Sequence, residues 1–394
     1  MKMIRFVIVM MCFSAVSAFC RQGSEPDTAF YEEQKVWKEV KTVLTMDFSH
    51  IQKPESIESF HPLFHFPPIR QDTTSTCWSF STTSFLESEL YRIHHKKIKL
   101  SEMYTVYWEF VEKARRFVRE KGNSEFRAGS EQEAVIDRIK QYGAVREKDY
   151  TGLLKGQTRH DHEAMFDEMT GYLDYIRENE IWDEEQVLSN IRCILDKTMG
   201  KPPEYITVDG KRMTPRQFRD DVLDLPLDSY VTLMSFKYLP FFTKGEYRVP
   251  DNWWHSENYY NVPLEDWYGA IQLAIEKGYS VGIGGDVSEP GKGRFDDIAV
   301  IPSFDIPSEY INQDAREFRY YNKTTTDDHA LHIVGYQRLG DQDWFLVKDS
   351  GSSGYAGKYK GYYFFRGDWV KLKMMTIFVH RDAVKDLLKK IKKP

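Results

Sequence analysis

Apolar residues recur at helical spacing through the first two thirds of the chain. The stretch CWSFSTTSFLESELYRIHH, residues 77–95, places Phe80, Phe85 and Leu90 along one face and polar residues on the other. This spacing predicts a buried amphipathic helix. Cys77 stands in its first turn, directly after a loop rich in threonine.

Two sequence signals mark the starts of later helices. Ser130 and Glu133 have the spacing of a capping box, in which each side chain bonds the backbone N–H of the other residue. Thr214-Pro215 followed by Gln217 combines such a cap with a proline, which is favoured at the first helical position. Together with the apolar periodicity, these signals predict helices at about 103–121, at about 131–142, twice within 162–198, from 214 onward and at about 264–277.

The apolar pattern changes after about residue 280. Four segments there are short, apolar or alternating, and are separated by Gly, Asp and Ser, which predicts antiparallel strands. They are 329–336, 344–348, 362–366 and 374–379. Helices before about 260 and strands after about 280 predict an α+β fold with two subdomains.

Composition narrows the class of protein. The 394 residues are 41% hydrophobic and 15% aromatic, which is enough to bury a large core. The net charge of −6 argues against nucleic acid as a partner, because binding phosphates needs concentrated basic surface. No apolar stretch approaches the roughly 20 residues of a membrane-spanning helix, so no membrane span is expected.

The first 18 residues have the layout of a secretory signal peptide. Lys2 and Arg5 precede the apolar run 6–13, and the small residues Val16-Ser17-Ala18 follow it. We therefore expect a secreted or periplasmic protein that is cleaved after Ala18. A lipid anchor on Cys20 is a second reading, against which the bulky Phe19 argues.

Cleavage would leave three cysteines, Cys20, Cys77 and Cys193. Because the number is odd, at least one thiol stays free or pairs with another chain, and a disulfide-rich scaffold is excluded. A bridge between Cys20 and Cys193 remains open. Cys77 is a candidate nucleophile, because a helix N-terminus and a nearby imidazolium both stabilise a thiolate.

Among the eleven histidines, His329 is the candidate base for this thiol. It opens the predicted strand in DDHALHIVGY, and the other histidines have plainer interpretations. His94 and His95 end the helix of Cys77 on its far side. His160 and His162 lie in a polar loop without a second pair of metal ligands. We expect neither a metal nor a cofactor.

The segments QDTTSTCWSF, DDHALHIVGY and WFLVKDSGSSG, in this order, resemble the papain-like cysteine peptidases and their Cys–His–Asn triad. The likeness is greatest to their bleomycin hydrolase and aminopeptidase C branch. It extends through SEMYTVYWEFVEK, EAVIDRIKQYGAV, MTPRQFRDDVLD and GYSVGIGGDV, and so covers most of 66–385. The resemblance implies a helical half, an antiparallel β half and an active-site cleft between them. It also implies hydrolysis of peptide bonds through a thioester.

The resemblance assigns roles to single residues. Cys77 matches the nucleophile, His329 the base, and Gln71 the glutamine whose N–H joins that of Cys77 in holding the oxyanion. Trp78 matches the tryptophan that follows the nucleophile. Gly129-Ser130 falls where the family has paired glycines that let the substrate backbone approach. Gly129, Ser130 and Trp78 are therefore candidates for substrate binding.

One departure from the family pattern concerns the third member of the triad. The family's Asn-Ser-Trp-Gly appears here as Asp349-Ser350-Gly351-Ser352. Asp349 can accept the same imidazole N–H, and its charge would stabilise the imidazolium further. The tryptophan that shields this hydrogen bond in the family is missing. Tyr355 and Trp369 are candidates to replace it.

The other departure is the C-terminal segment. In the branch, the chain end reaches into the cleft, and its carboxylate binds the free amine of the substrate. Here the segment reads LLKKIKKP, which is basic and predicted to be helical. Whether the enzyme is an aminopeptidase or an endopeptidase therefore stays open.

These observations give a domain plan. It consists of a signal peptide at 1–18, a lead-in at 19–65 and a peptidase domain at 66–394. Within the peptidase domain, the helical part covers about 66–260 and includes an insertion at about 150–260. The β part covers about 278–382, and a C-terminal helix covers 383–394. Two other functions remain: a weakened peptidase-like protein that binds peptides, and a scaffold built on the homo-hexamers of the branch.

Overall fold

The structure, a computed structural model, describes residues 31–36 and 39–391. The chain splits into two compact units, residues 1–51 and 52–394. In the first, β1 (Tyr31–Val36) and β2 (Glu39–Leu44) form an antiparallel hairpin. The predicted signal peptide and Cys20 lie outside the described residues. Within the described ranges, we find no helix with the length and apolar character needed to cross a membrane.

The helices of the second unit follow the apolar spacing of the sequence. Those predicted between residues 77 and 277 are confirmed to within a few residues, including the capping box of Thr214 and Gln217. The bounds are α1 (Cys77–His94), α2 (Glu102–Arg119), α3 (Gln132–Tyr142), α4 (Glu163–Glu178), α5 (Glu184–Met199), α6 (Pro215–Gln217, continued by a π-helical segment at Phe218–Leu223), α7 (Leu264–Glu276), α8 (Gln313–Tyr321), α9 (Gly367–Lys373) and α10 (Lys385–Leu388).

A ten-stranded mixed sheet runs through this unit, in the order β6-β7-β5-β14-β8-β11-β12-β13-β10-β9. Its central pairs are antiparallel, as predicted, whereas β5 with β7 and β10 with β13 are parallel. The strands, with the separate hairpin β3–β4, are β3 (Ile206–Val208), β4 (Lys211–Met213), β5 (Tyr230–Met234), β6 (Thr243–Gly245), β7 (Tyr259–Asn261), β8 (Val281–Gly285), β9 (Lys292–Gly293), β10 (Ile298–Ala299), β11 (His329–Leu339), β12 (Gln342–Lys348), β13 (Tyr362–Arg366) and β14 (Met374–His380).

The predicted division into helices before 260 and strands after 280 is too simple. β5 and β7 join the large sheet from within the stretch predicted as a helical insertion. β5 is buried along its whole length, because it lies between β7 and β14 and carries apolar side chains on both faces. α8 and α9 interrupt the β part. Of the helix predicted at 383–394, the described residues contain only the single turn of α10.

The predicted capping box of Ser130 and Glu133 is wrong. α3 begins after Glu131, which caps it without a side-chain hydrogen bond. The Ser130 hydroxyl instead donates to the Glu109 carboxylate of α2 at 2.6 Å. The same hydroxyl oxygen accepts from Nε1 of Trp253 at 3.2 Å, so tertiary partners occupy both its donor and its acceptor side in place of the local cap.

Strand β11 separates the two hydrophobic cores. Leu331 and Ile333 point into the core of the β half, where they pack with Ile271 of α7. His332 points to the other face and meets Ser84 of α1. This alternation follows from the two-residue period of a strand. α1 therefore lies directly against the sheet, on the face opposite to α7.

We predict that the packing of α1 on the sheet depends on Phe85. Its ring is fully buried and lies 5.1 Å from Phe378 and 5.3 Å from Tyr230, measured between ring centroids. Phe85→Ala should lower the free energy of unfolding by about 3–5 kcal/mol, because it leaves a cavity. Denaturant titration measures this change. Phe318→Ala truncates a ring that is 68% exposed and should change it by less than about 0.5 kcal/mol. Similar losses in the two variants would contradict the packing described.

Candidate active site

Cys77 occupies the first position of the 18-residue helix α1. The preceding Thr76 makes no side-chain cap, and its carbonyl accepts the N–H groups of Ser79 and Phe80. The N–H of Cys77 points out of the helix end, where helical geometry supplies no acceptor. The thiol is partly exposed. A negative charge placed here is stabilised by the helix dipole and by the free N–H.

A buried contact between α1 and β11 sets the position of Cys77. Lys348 Nζ donates to Ser84 Oγ at 2.8 Å, and Ser84 Oγ lies 2.9 Å from Nδ1 of His332. Burial holds the pKa of His332 well below its ordinary value, so Nδ1 accepts the serine proton. Cys77 lies seven residues before Ser84, which is about 10 Å along the helix. His329 lies three residues before His332, which is about 10 Å along the strand. The Cys77 thiol is a hydrogen-bond partner of the His329 imidazole.

The imidazole of His329 binds Asp349 and Cys77. Its Nε2 lies 2.7 Å from Oδ1 of Asp349, which leaves Nδ1 for the thiol of Cys77. Burial alone would lower the pKa of His329, but its contacts with Asp349 and Cys77 raise it to about 10. Burial would raise the pKa of Asp349, yet the imidazolium lowers it to about 2. Between these values the histidine is charged and the aspartate is ionised.

Backbone and a lysine complete the surroundings of Asp349, whose side chain is fully buried. The Gly351 N–H donates to Oδ1 at 2.6 Å, and Lys292 Nζ lies 3.8 Å from Oδ2. Gly351 and Gly354 both lie directly over the carboxylate: a Cβ added at Gly351 would be 3.0 Å from Oδ1, and one at Gly354 would be 3.3 Å from Oδ2. These glycines exclude water where the family has its tryptophan. Trp369 packs against Phe365 in the core of the β half.

Gln71 is held beside the cleft by Ser350. The Ser350 hydroxyl donates to Oε1 of Gln71 at 2.7 Å, and the Gln71 backbone N–H donates to the Ser350 carbonyl at 3.0 Å. Because Oε1 is occupied, the orientation of the amide is fixed and its NH2 group is the free end. This is the end that an oxyanion donor requires.

The surroundings of the three predicted substrate-binding residues differ from those that the sequence indicated. Trp78 is only 1% exposed, and its Nε1 donates to the Ala128 carbonyl at 3.3 Å, so it positions the backbone beside the cleft rather than touching substrate. The Ser130 side chain is also turned inward. Gly129 stays partly exposed, and a Cβ there would lie 2.2 Å from Oδ2 of Asp251. Of the three, Gly129 alone is not buried.

Sequence reasoning missed several charged residues around the site. They are Lys292, beside Asp349, and the carboxylates Glu131, Asp251 and Asp327, near Gly129 and His329. Asp327 stands two residues before His329 in the motif already singled out, so its position was readable. Lys292 stands on the two-residue strand β9 and Asp251 in a turn, and neither has a local signal in the sequence. The exposed thiol of Cys193 is free and lies on α5.

Comparison with known proteins identifies the fold. No family model matches the sequence, and no curated protein matches it. The chain has an α+β fold of the papain-like type, with a helical half and a β half. It shares this fold with the crystal structure of PepW from Lactobacillus rhamnosis HN001. The match has a TM-score of 0.66 and 16% sequence identity, and covers 84% of this chain and 83% of that one. At this identity, the likeness is one of fold.

The bond between His329 and Asp349 contributes stability that depends on pH. The raised pKa of His329 stabilises the fold below about pH 6.5, and this contribution is lost as the pH rises through about 10. The lowered pKa of Asp349 stabilises the fold above about pH 4, and this contribution is lost as the pH falls through about 2. Both contributions are complete between about pH 4 and 6.5.

We predict that Asp349→Asn lowers the pKa of His329 by about 1 to 3, because the amide keeps the hydrogen bond but removes the charge. NMR titration of protein with labelled histidine measures this pKa directly. Asp343→Asn, the same change at the other end of β12, should leave it unaltered. An unchanged pKa in Asp349→Asn would mean that the carboxylate charge does not hold the proton on His329.

Proposed function

We propose that this chain is a cysteine peptidase that hydrolyses peptide bonds through a thioester. One observation carries the proposal: a single imidazole lies between the thiol at a helix N-terminus and a buried carboxylate. This arrangement generates a thiolate and an imidazolium, which are the nucleophile and the acid that acyl transfer needs. The shared fold with PepW supports it.

In the first half of the reaction, the Cys77 thiolate attacks the carbonyl carbon of the scissile peptide bond. The negative charge moves to the carbonyl oxygen, where the N–H of Cys77 and the NH2 group of Gln71 donate to it. The imidazolium of His329 then gives its Nδ1 proton to the leaving nitrogen. The C–N bond breaks, and a thioester remains on Cys77.

In the second half, neutral His329 takes a proton from water, and the hydroxide formed attacks the thioester carbon. The same two donors hold the oxyanion. The C–S bond then breaks, the acyl part of the substrate leaves as a carboxylic acid, and the thiolate–imidazolium pair is restored. Asp349 keeps the ring oriented throughout and stabilises its charged form.

The aspartate in place of asparagine favours an active enzyme over a peptide-binding protein without catalysis. A lost catalytic site has no need to bury an ionised carboxylate, because such burial costs several kcal/mol unless a cation compensates it. Here His329 and Lys292 supply that compensation. The glycines over Asp349 shield the bond, so the missing tryptophan does not count against activity.

In the bleomycin hydrolase branch, the carboxylate of the chain end binds the substrate amine. The described C-terminal segment gives no support to such binding here. Leu387, Leu388 and Ile391 pack against the core of the β half, and Lys390 pairs with Asp266 of α7 at 3.1 Å. α7 lies on the face of the sheet opposite to α1. The described part of this segment therefore packs on the side of the sheet away from α1.

We predict that Gln71→Ala reduces kcat on a fluorogenic peptide by about 10²–10³-fold with little change in KM, because the lost donor acts on the oxyanion. The rate at which iodoacetamide alkylates Cys77 should stay near that of the wild type, since that reaction forms no oxyanion. Thr73→Ala, a change of an exposed residue in the same loop, serves as the control. A loss of alkylation together with kcat would show that Gln71 only maintains the site.

Export and assembly remain predictions that accompany this proposal. We propose cleavage after Ala18 and export from the cytoplasm, and a homo-oligomer by resemblance to the branch. N-terminal sequencing of the protein purified from its native source tests the first. A mature chain that begins at Met1 would contradict it.

A further inference from the structure

Three carboxylates lie on one side of the candidate active site, at the edge marked by Gly129. Asp327 stands two residues before His329 and is partly exposed, as is Asp251. Glu131 is buried beneath them and meets Asp327 carboxyl to carboxyl. The Asp251 carboxylate lies against Gly129, where any side chain would displace it. The group therefore has a buried floor and a solvent-facing rim.

Polar atoms around this group have no hydrogen-bond partner among the described residues. One such atom is Oε1 of Glu131, a residue that is only 6% exposed. The hydroxyls of Tyr247 and Tyr259 are two more, and both rings are fully buried. Burial first, and then the nearby carboxylates, hold the pKa of both hydroxyls well above the ordinary value. Buried polar atoms without partners are rare, and a cluster of them marks the place of a missing partner.

The charge that the missing partner must carry follows from the carboxylates. In the described part of the chain, neither Glu131 nor Asp327 forms an ion pair with a lysine or arginine. Burial and the neighbouring carboxylates raise the pKa of Asp327 to about 7 and that of Glu131 well above its ordinary range. Two carboxyl groups in contact share a proton until a cation replaces it. Burial raises the pKa of Asp251, and the charges of Lys113 and Arg127 oppose this; Lys113 Nζ already donates to the carbonyls of Arg127 and Gly129.

The distance to the reacting groups defines where on a peptide this cation would lie. Asp327 and His329 are two residues apart on an extended segment, which is about 7 Å. An extended substrate advances about 3.3 Å per residue. A cation that reaches Asp327 is therefore about two residues from the bond at Cys77. The α-amine of a substrate with two residues before that bond and the side chain of the second residue before it both meet this requirement.

We propose that Glu131, Asp327 and Asp251 form an acidic subsite that binds an alkylammonium or guanidinium group of the peptide substrate. The inference rests on the proposed function, since it names the substrate class of the same site. The group comes either from the free N-terminus of the peptide or from a lysine or arginine side chain. Gly284 lies beside this subsite: a Cβ there would be 2.9 Å from Oγ1 of Thr376 and 3.6 Å from Oδ1 of Asp327.

Four fluorogenic coumarin amides separate the two sources of the cation. Acetyl-Arg-Leu and acetyl-citrulline-Leu differ only in the charge of one side chain. Leu-Leu and acetyl-Leu-Leu differ in the charge of the amine. We expect kcat/KM to favour the charged member of at least one pair by about tenfold or more, as a charge-assisted hydrogen bond would give. The pair that shows the preference identifies the source.

The preference should depend on the three carboxylates. Glu131→Gln, Asp327→Asn and Asp251→Asn keep the shape of each side chain and remove its charge. The ratio between the charged and the neutral substrate should fall about tenfold in Asp327→Asn and also decrease in the other two variants. Asp228→Asn removes a carboxylate that is 93% exposed elsewhere and should keep the wild-type ratio.

Binding measured without catalysis makes the subsite testable by itself. Calorimetry on Cys77→Ala compares the affinities of the same peptides as plain amides. If wild type cleaves none of the substrates while Cys77→Ala still binds the charged peptides more tightly, the proposed function fails and the subsite stands. Equal affinities and equal kcat/KM for charged and neutral peptides would overturn the subsite. So would a preference that survives in all three carboxylate variants.

Discussion

The contact between Ser84 on α1 and His332 on β11 is the constraint from which the candidate site follows. It fixes one turn of a helix against one residue pair of a strand inside the buried interface of the two halves. From this point the helix runs about 10 Å to Cys77, at about 1.5 Å per residue over seven residues. The strand runs about 10 Å to His329, at about 3.4 Å per residue over three residues. Cys77 and His329 lie at the ends of these two runs, and the thiol is a partner of the imidazole. A shift of one residue in either element would separate them.

Electrostatics distinguishes two sets of buried carboxylates around His329. Asp349 has its cations in place, since His329 and Lys292 both face it. Glu131 and Asp327, on the other side of the histidine, pair with no lysine or arginine among the described residues. The cation that lowers the pKa of Asp327 is His329, which is already paired with Asp349. A protein that already compensates one buried carboxylate fully has no structural reason to leave a second pair without a cation. The asymmetry is understandable if the second charge is supplied by the substrate.

The sequence predicted what depends on local pattern and on the order of motifs. The helices α1 to α7 follow from apolar spacing, and the resemblance pointed to Cys77, His329, Asp349 and Gln71. It could not show that Asp349 reaches His329, which the structure gives as 2.7 Å.

The failures of sequence reasoning have non-local causes. The cap predicted for Ser130 was lost to Glu109, which is 21 residues away in the sequence. β5 and β7 become strands because β14 and β5 offer them edges to pair with. The orientation of Gln71 depends on Ser350, 279 residues further on. Each of these depends on a partner that no local window contains.

The central claim is that Cys77 and His329 form a thiolate–imidazolium pair. The most direct measurement is the rate at which iodoacetamide alkylates Cys77 as a function of pH, with peptide mass mapping to separate it from the exposed Cys193. The account predicts rapid alkylation well below pH 7, and its loss in His329→Ala. Alkylation that rises only near about pH 8.5, as for an isolated thiol, would contradict it.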